Sequence, residues 1–268
     1  MRAHRTLVLT VVIGLALAVP SAALGRALII GGSTSVLPLA QKLAAAYHKA
    51  TGQPTPKVTG GQSDIGISGV AEGRFDIGDS SRDPLSTDPH GLTFTKIARD
   101  GVCIITNKAN PISNLSQSAV EEIFTGSKRD WSEVPGATIS GPIDLFDRDG
   151  ASGTQDAFQH IFLEENEKIS PSATAKTSNG LEQISVSSDK QAIGFVSFAY
   201  TAGTNAVGYN GVACNLRNAR SGQYLGVRNF WMVTKGAPKG AALKFLAWVT
   251  SGKKAVDNII NSQWIAVH

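Results

Sequence analysis

Cysteine is nearly missing from this 268-residue sequence, which has only two. That excludes a disulfide scaffold, a zinc ribbon and a cluster site, each of which needs more thiols. Dense blocks of basic charge are also missing. Lys and Arg number 25 against 21 Asp and Glu, net +4, so nucleic acid is not expected as a partner. No glycine period supports a collagen-like chain, and 42% hydrophobic content excludes disorder. Residues 7–19 form the one long apolar run, broken only by Thr10. Arg2 and Arg5 precede it, and Pro20, Ser21 and Ala23-Leu24-Gly25 follow. This predicts a secretory signal peptide over residues 1–25. The run is short of the ~20 residues that span a bilayer, and no Cys near the cleavage region offers a lipid anchor. Removing Arg2 and Arg5 lowers the 25 basic residues to 23 against 21 acidic, net +2. A soluble exported protein in an oxidising compartment is expected.

In that compartment the two cysteines have two open readings. Cys103 lies in the apolar run Gly101-Val102-Cys103-Ile104-Ile105 and Cys214 in a polar loop. They form either a bridge across the middle of the fold or two separate thiols, because sequence fixes no distance. His48, His90, His160 and His268 show no metal-ligand spacing, and no metal or cofactor is expected.

What is present is a repeated order of strand, loop and helix. Residues 27–30 read as a strand, followed by a helix with Val36, Leu39, Leu43 and Tyr47 at helical spacing and a stop at Gly52. Residues 56–59, 75–78 and 102–106 read as further strands, and a short helix runs to Gly73. A second region starts near Asn107, with Ser116 as a helix N-cap and Leu115 and Val120 placed for a hydrophobic staple. Residues 143–146, 193–198 and 230–233 are more apolar runs, and 240–250 and 252–261 read as helices. This alternation predicts an α/β fold with a largely parallel sheet covered on both faces. The Gly-rich stretch 203–211 is a candidate return crossing between two lobes.

The chemistry concentrates in loops that follow strands and open helices. Gly32-Ser33-Thr34-Ser35, Gly61-Gln62-Ser63 and Ser152-Gly153-Thr154 are of this kind, and Ser80-Ser81-Arg82 ends another strand. Ligands of open α/β sheets bind beyond the carboxyl ends of the strands. Helix N-termini there offer unpaired N–H groups and a positive dipole end. Hydroxyls add donors, glycine permits close approach, and the guanidinium forks of Arg82 and Arg148 fit two oxygens of an anion. One such loop alone would be an ordinary N-cap; together they point to a small oxyanion. Catalysis is not expected. Gly150-Ala151-Ser152-Gly153 approaches a nucleophile elbow, but Thr154 stands where that motif needs glycine.

The ordered motifs carry a resemblance. Gly32-Ser33-Thr34-Ser35-Val36-Leu37-Pro38, Gly60-Gly61-Gln62-Ser63, Asp76-Ile77-Gly78-Asp79-Ser80-Ser81-Arg82, Ile123-Phe124-Thr125-Gly126 with Trp131, and Arg148-Asp149-Gly150-Ala151-Ser152-Gly153-Thr154 with Phe158 follow one another. In this order they resemble the phosphate-binding proteins of bacterial ABC phosphate importers, the PstS-like family. The resemblance implies a periplasmic-binding-protein type II-like α/β fold. Two lobes, 26–104 plus 207–268 and 105–206, would be joined by a hinge with the ligand cleft between them. It implies a monomer in the periplasm that captures inorganic phosphate and delivers it to an ABC permease in the inner membrane. By position it implies Thr34, Ser35, Ser63, Ser81, Arg82, Arg148, Ser152, Gly153 and Thr154 as the phosphate ligands.

Two departures bear on selectivity. Many members of that family carry Asp where Ser81 stands, and that carboxylate accepts the proton of hydrogen phosphate and repels sulfate. Here Ser81-Arg82 replaces it, as in a shorter-chain branch, without the repulsive charge. Asp64, in a loop usually richer in Gly and Ser, is either a substitute proton acceptor or an N-cap. Sulfate or molybdate as ligand, and sensing in place of import, remain the alternatives.

Overall fold

The computed structural model describes residues 25–267, so the leader expected over 1–25 lies outside the described residues except for Gly25. The first unit opens with β1 (Ile29–Ser33), α1 (Leu37–Thr51), β2 (Lys57–Gly61), α2 (Ser63–Ala71) and β3 (Ile77–Ser80). β4 (Leu92–Thr106) carries the chain into the second unit. There follow β5 (Asn114–Leu115), α3 (Gln117–Phe124), β6 (Asp144–Arg148), α4 (Gly153–Phe162), β7 (Thr174–Lys176) and α5 (Asn179–Ser188). The unit continues with β8 (Ala192–Ser197), β9 (Asn205–Ala206), β10 (Gly208–Tyr209) and α6 (Leu216–Arg220). β11 (Val227–Lys235) returns, and α7 (Gly240–Val249) and α8 (Lys254–Ile260) close the chain. No helix among the described residues is long and apolar enough to cross a membrane.

The main sheet runs β2-β1-β3-β11-β4-β8-β6-β7. The expected parallel pairing holds for β1 with β2 and β3, and for β6 with β7 and β8. It fails in the middle, where β11 is antiparallel to β3 and β4, and β4 is antiparallel to β8. The sheet is therefore mixed. Two parallel α/β halves are joined by a long antiparallel pair. β4 serves both: its residues 92–101 pair with β11 and its residues 102–106 with β8.

Each half has its own core. Ile30, Leu39, Leu43, Ile77, Ala98, Phe230, Phe245 and Trp264 pack together in the first. Val102, Ile104, Val120, Phe124, Trp131, Phe158 and Phe195 pack in the second, with the Phe158 and Phe195 rings stacked at 4.0 Å. The expected lobe boundary at residue 207 lies inside this second core, because Val207, Tyr209, Cys214, Ala219 and Tyr224 pack there. The Gly-rich stretch likewise stays in the second half, with β9 on β4 and β10 on β5. Cys103 and Cys214 are joined as a disulfide, their Cα atoms 5.7 Å apart. It ties β4, just past its crossing point, to the segment leading into α6.

Close packing of α2 sets the first half of the site. A Cβ at Gly66 would lie 2.6 Å from the Asp79 carbonyl and 2.9 Å from that of Gly31. Only glycine lets α2 press this near the sheet, and the approach brings Ser63, at the helix start, down onto the end of β3. α1 ends as the sequence predicts, with Gly52 in the left-handed region at φ 67°.

Candidate functional site

Four helix N-termini converge at the carboxyl ends of the strands: Thr34 and Ser35 before α1, Ser63 opening α2, Ser152 to Thr154 at α4, and Asn179 opening α5. α1 and α2 have no side-chain cap, whereas Ser152 Oγ accepts from the N–H groups of Thr154 and Gln155. Ser33, Ser35, Ser63, Ser81, Arg148, Ser152 and Thr154 are all buried. Buried hydroxyls need partners, and here they partner one another. Ser33 Oγ donates to Ser81 Oγ at 2.8 Å, Ser81 N–H donates to Ser63 Oγ at 3.0 Å, and the Ser35 and Thr154 hydroxyls lie 3.0 Å apart.

The structure thus brings the predicted Ser and Thr residues of both halves into one place. Gly153 sits at the closest approach. A Cβ there would strike Ser63 Oγ and come within 2.8 Å of Arg82 N and 2.9 Å of Ser81 Oγ. That explains the glycine in chemical terms: the α4 N-terminus meets the first half with no room for a side chain.

The two predicted arginines differ. Arg82 is buried, and its fork is filled by acids of its own half. Nε donates to Asp64 at 2.8 Å and Nη2 to Asp88 at 2.6 Å, while Nη1 donates to the Asp83 carbonyl at 3.0 Å. Burial works to lower its pKa, but the bonds to Asp88 and Asp64 outweigh it and raise the value. Asp64 is thereby occupied by Arg82. Arg148, at the end of β6, donates from Nε to the Lys176 carbonyl at 2.8 Å. Its Nη1 is buried with no partner among the described residues.

Sequence reasoning missed four contributors. Arg228 of β11 is buried, pairs with Asp100 at 3.0 Å, and donates to Ser35 Oγ at 2.8 Å and the Gly153 carbonyl at 3.2 Å. Its signal was legible: Arg228, Phe230 and Met232 alternate as the buried face of the strand. Asn179 donates from Nδ2 to Thr34 Oγ1 at 3.0 Å and Ser35 Oγ at 2.8 Å, and Tyr200 OH donates to the Thr34 carbonyl at 2.9 Å. Both reach across from the second half to the first. Glu182, on α5, faces Arg148 Nε at 3.7 Å. Beside the constellation the halves leave a cavity of about 340 Å³, walled by Ser81, Arg82 and Arg228 and by Asp156, Ala157 and His160 of α4.

Chemically, the arrangement combines hydroxyl donors, helix dipole ends and an unpaired guanidinium nitrogen in a dry place between two halves. Such a setting favours a small anion stripped of water. Among the described residues no group of three or more His, Cys, Asp and Glu could hold a metal ion.

A family model described as "PBP superfamily domain" matches residues 18–253. Phosphate-binding protein PstS 2 of Streptococcus agalactiae is 36% identical over 107 residues, covering 40% of this chain and 36% of that protein. That match spans about a third of the relative's length. Phosphate-binding protein PstS of Bacillus subtilis is 28% identical over 229 residues, covering 84% of this chain and 75% of that protein. A Clostridium perfringens crystal structure, described as a phosphate ABC transporter substrate-binding protein with bound phosphate, superposes with a TM-score of 0.84 at 29% identity. It covers 91% of this chain and 100% of that one. An ABC-type phosphate transport receptor from Vibrio cholerae superposes with a TM-score of 0.70 at 26% identity, over 89% of this chain and 99% of that one.

Proposed function

Because the chain belongs to the PBP superfamily, we propose that it is an exported solute-binding protein that captures inorganic phosphate between its lobes and delivers it to an ABC permease. The observation that carries the ligand class is Arg148 Nη1, buried and with no partner among the described residues, on the strand whose end leads into the N-terminus of α4. A guanidinium nitrogen left without a partner in a buried site favours an anion that completes it. The names of the relatives and the phosphate in the Clostridium perfringens structure support phosphate as that anion.

In this reading the ligands are Thr34, Ser35 and Ser63 from the first lobe, Arg148, Ser152, Gly153 and Thr154 from the second, and Ser81 at the strand end between them. Arg82, held by Asp64 and Asp88, fixes the chain next to Ser81, and its own N–H and carbonyl bond the Ser80 hydroxyl. Arg228, Asn179 and Tyr200 brace Thr34 and Ser35 from the other side. The chain crosses between lobes at Gly101–Val102, where β4 passes from β11 to β8, and at Gly226–Val227, where β11 begins, and this pair is the hinge. The site's buried hydroxyls bond one another, Asn179 and Arg228, an arrangement of donors that supports binding of an anion. The apolar run at 7–19 supports a periplasmic location by way of a cleaved signal peptide.

Calorimetric titration of the mature chain with phosphate and then sulfate tests this. Binding of phosphate at micromolar concentration or below, with sulfate at least about a hundredfold weaker, is the expected result. Equal binding of both anions would replace phosphate with tetrahedral oxyanions in general, since Ser81 supplies no charge against sulfate.

A further inference from the structure

Glu182 is a carboxylic acid where an anion site should have none. Its side chain is fully buried, on α5, 3.7 Å from Arg148 Nε. Oε1 accepts from the Phe195 N–H at 2.8 Å, while Oε2 has no hydrogen-bond partner among the described residues. Room for it is built into the neighbouring strand: a Cβ at Gly194 would come within 2.8 Å of Oε1. The carboxyl is therefore seated in its place, behind the guanidinium that the proposed function assigns to the ligand.

We propose that Glu182 sets the charge of the oxyanion site, so that binding of the anion at Arg148 is coupled to uptake of one proton by the Glu182 carboxylate. This rests on the phosphate-binding reading above and adds its regulation. With Glu182 protonated, Arg148 is a full countercharge to the anion. With Glu182 ionised, the pair is already neutral, and an arriving anion meets a buried carboxylate one residue away. No bond other than O–H forms: the proton comes from solvent, and Oε2, which has no hydrogen-bond partner among the described residues, receives it.

The surroundings favour this exchange near neutrality. Burial pushes the Glu182 carboxyl up to about 8, against the pull of Arg148 and of the Phe195 N–H. Asp147 on β6 adds to the rise and Lys176 on β7 opposes it. Around Arg148 itself stand Arg228 of β11, Asp149 of the loop before α4, and Tyr200. Asp147 is itself raised by burial to about 6, so it is ionised over the range where Glu182 titrates. A bound anion makes the ionised form of Glu182 costlier and raises its pKa. The complex then holds more protons than the free protein, and affinity falls as pH rises through the free value.

Glu182→Gln is the decisive variant, because the amide keeps an acceptor for the Phe195 N–H and cannot ionise. Phosphate affinity of wild type and variant is measured from about pH 6.5 to about pH 9. Phosphate's own ionisation cancels in the ratio of the two dissociation constants. The ratio of wild-type to variant Kd is expected to rise about fivefold between about pH 7 and about pH 9, the increase for one linked proton whose pKa the anion lifts by about one pH unit. A ratio flat across that range overturns the coupling, since a purely structural Glu182 would weaken binding equally at every pH. Should the variant fail to fold, infrared difference spectra of the wild-type chain at about pH 8.5 serve instead. Phosphate must produce a new protonated-carboxyl C=O band, and its absence overturns the proposal. A wild-type chain that binds phosphate at no pH removes the functional reading and the coupling together. Phosphate binding with a flat ratio removes only the coupling.

Discussion

Arg82 and Arg148 both stand at strand ends, one in each lobe, both buried, and the sequence treats them alike. Their surroundings do not. Arg82 is enclosed by two carboxylates, Asp64 and Asp88, and by the Asp83 carbonyl. Arg148 is held by one carbonyl and faces a single carboxyl that burial keeps largely protonated at neutral pH. A buried arginine already matched with acids is a structural cation; one short of countercharge is a binding group. The difference lies in partners supplied by distant segments, which is why residue type and position alone do not reveal it.

The largest test of this contrast is Arg148→Ala. Phosphate affinity should fall at least about thirtyfold, because a charge-assisted, desolvated contact to an anion typically carries ~2–5 kcal/mol. The fold should survive, since the Glu182 left behind is neutral at pH 7. Isothermal titration checks the first expectation and urea unfolding the second. An Arg148→Ala chain that loses less than about tenfold in affinity would sink the assignment of that residue.

Arg82→Gln should show the reverse balance. It strands Asp88 in a nearly buried position, with Asp64 about half exposed. Stability should drop by about 2–3 kcal/mol, less than a fully buried pair would lose because solvent already screens Asp64. Affinity should change by less than about tenfold. The pH dependence follows from Asp88. Burial pushes its carboxyl up, but the hydrogen bonds from Arg82 and the Leu85 N–H outweigh this and hold it below its ordinary value. That contribution exists above the ordinary carboxylate pKa and disappears as pH falls through the depressed one. Urea midpoints of wild type and Arg82→Gln should therefore converge in acid. A hundredfold loss of phosphate affinity with unchanged stability would erase the distinction between the two arginines.

Much of this site was legible because it is local. A strand running into Gly-Ser-Thr and then a helical period identifies the loops, and Ser63, Ser81, Ser152 and Thr154 all arrive in the same place. The long pair of β4 and β11 was not legible in full. Only 102–106 of β4 and 230–233 of β11 read as apolar runs, while 92–101 carries Lys96, Arg99 and Asp100, whose charges disguise a strand with one buried acid. The alternation of Arg228 with Phe230 and Met232 marks a buried position, but its pairing is hidden, since its partner Asp100 is 128 residues away. Asn179 and Glu182 lie at the start of α5, where they read as ordinary helix residues. Their roles come from β8, which receives both: Asn179 Oδ1 accepts from the Ser197 N–H and Glu182 Oε1 from the Phe195 N–H.

Asp79 extends the comparison to a carboxyl that no cation matches. It lies on β3, two residues before Ser81, fully buried, and neither oxygen has a hydrogen-bond partner among the described residues. Burial pushes its carboxyl well above the ordinary value. An acid raised in this way supports the fold fully below its unfolded pKa and loses that support as pH rises through the folded one. The charge therefore works against the native state on the alkaline side, the opposite of Asp88. Asp79→Asn removes the ionisable group and keeps the shape. The variant should match wild type at about pH 4 and be more stable at pH 8, by on the order of 1 kcal/mol, the low end for relieving an unpaired buried polar group. Thermal unfolding at the two pH values decides it. A variant less stable than wild type at pH 8 would mean that Asp79 is held by a group the arginine comparison leaves out. Phosphate affinity should change least of all, because the side chain packs in the strand and the ligand's donors come from the loops beyond it.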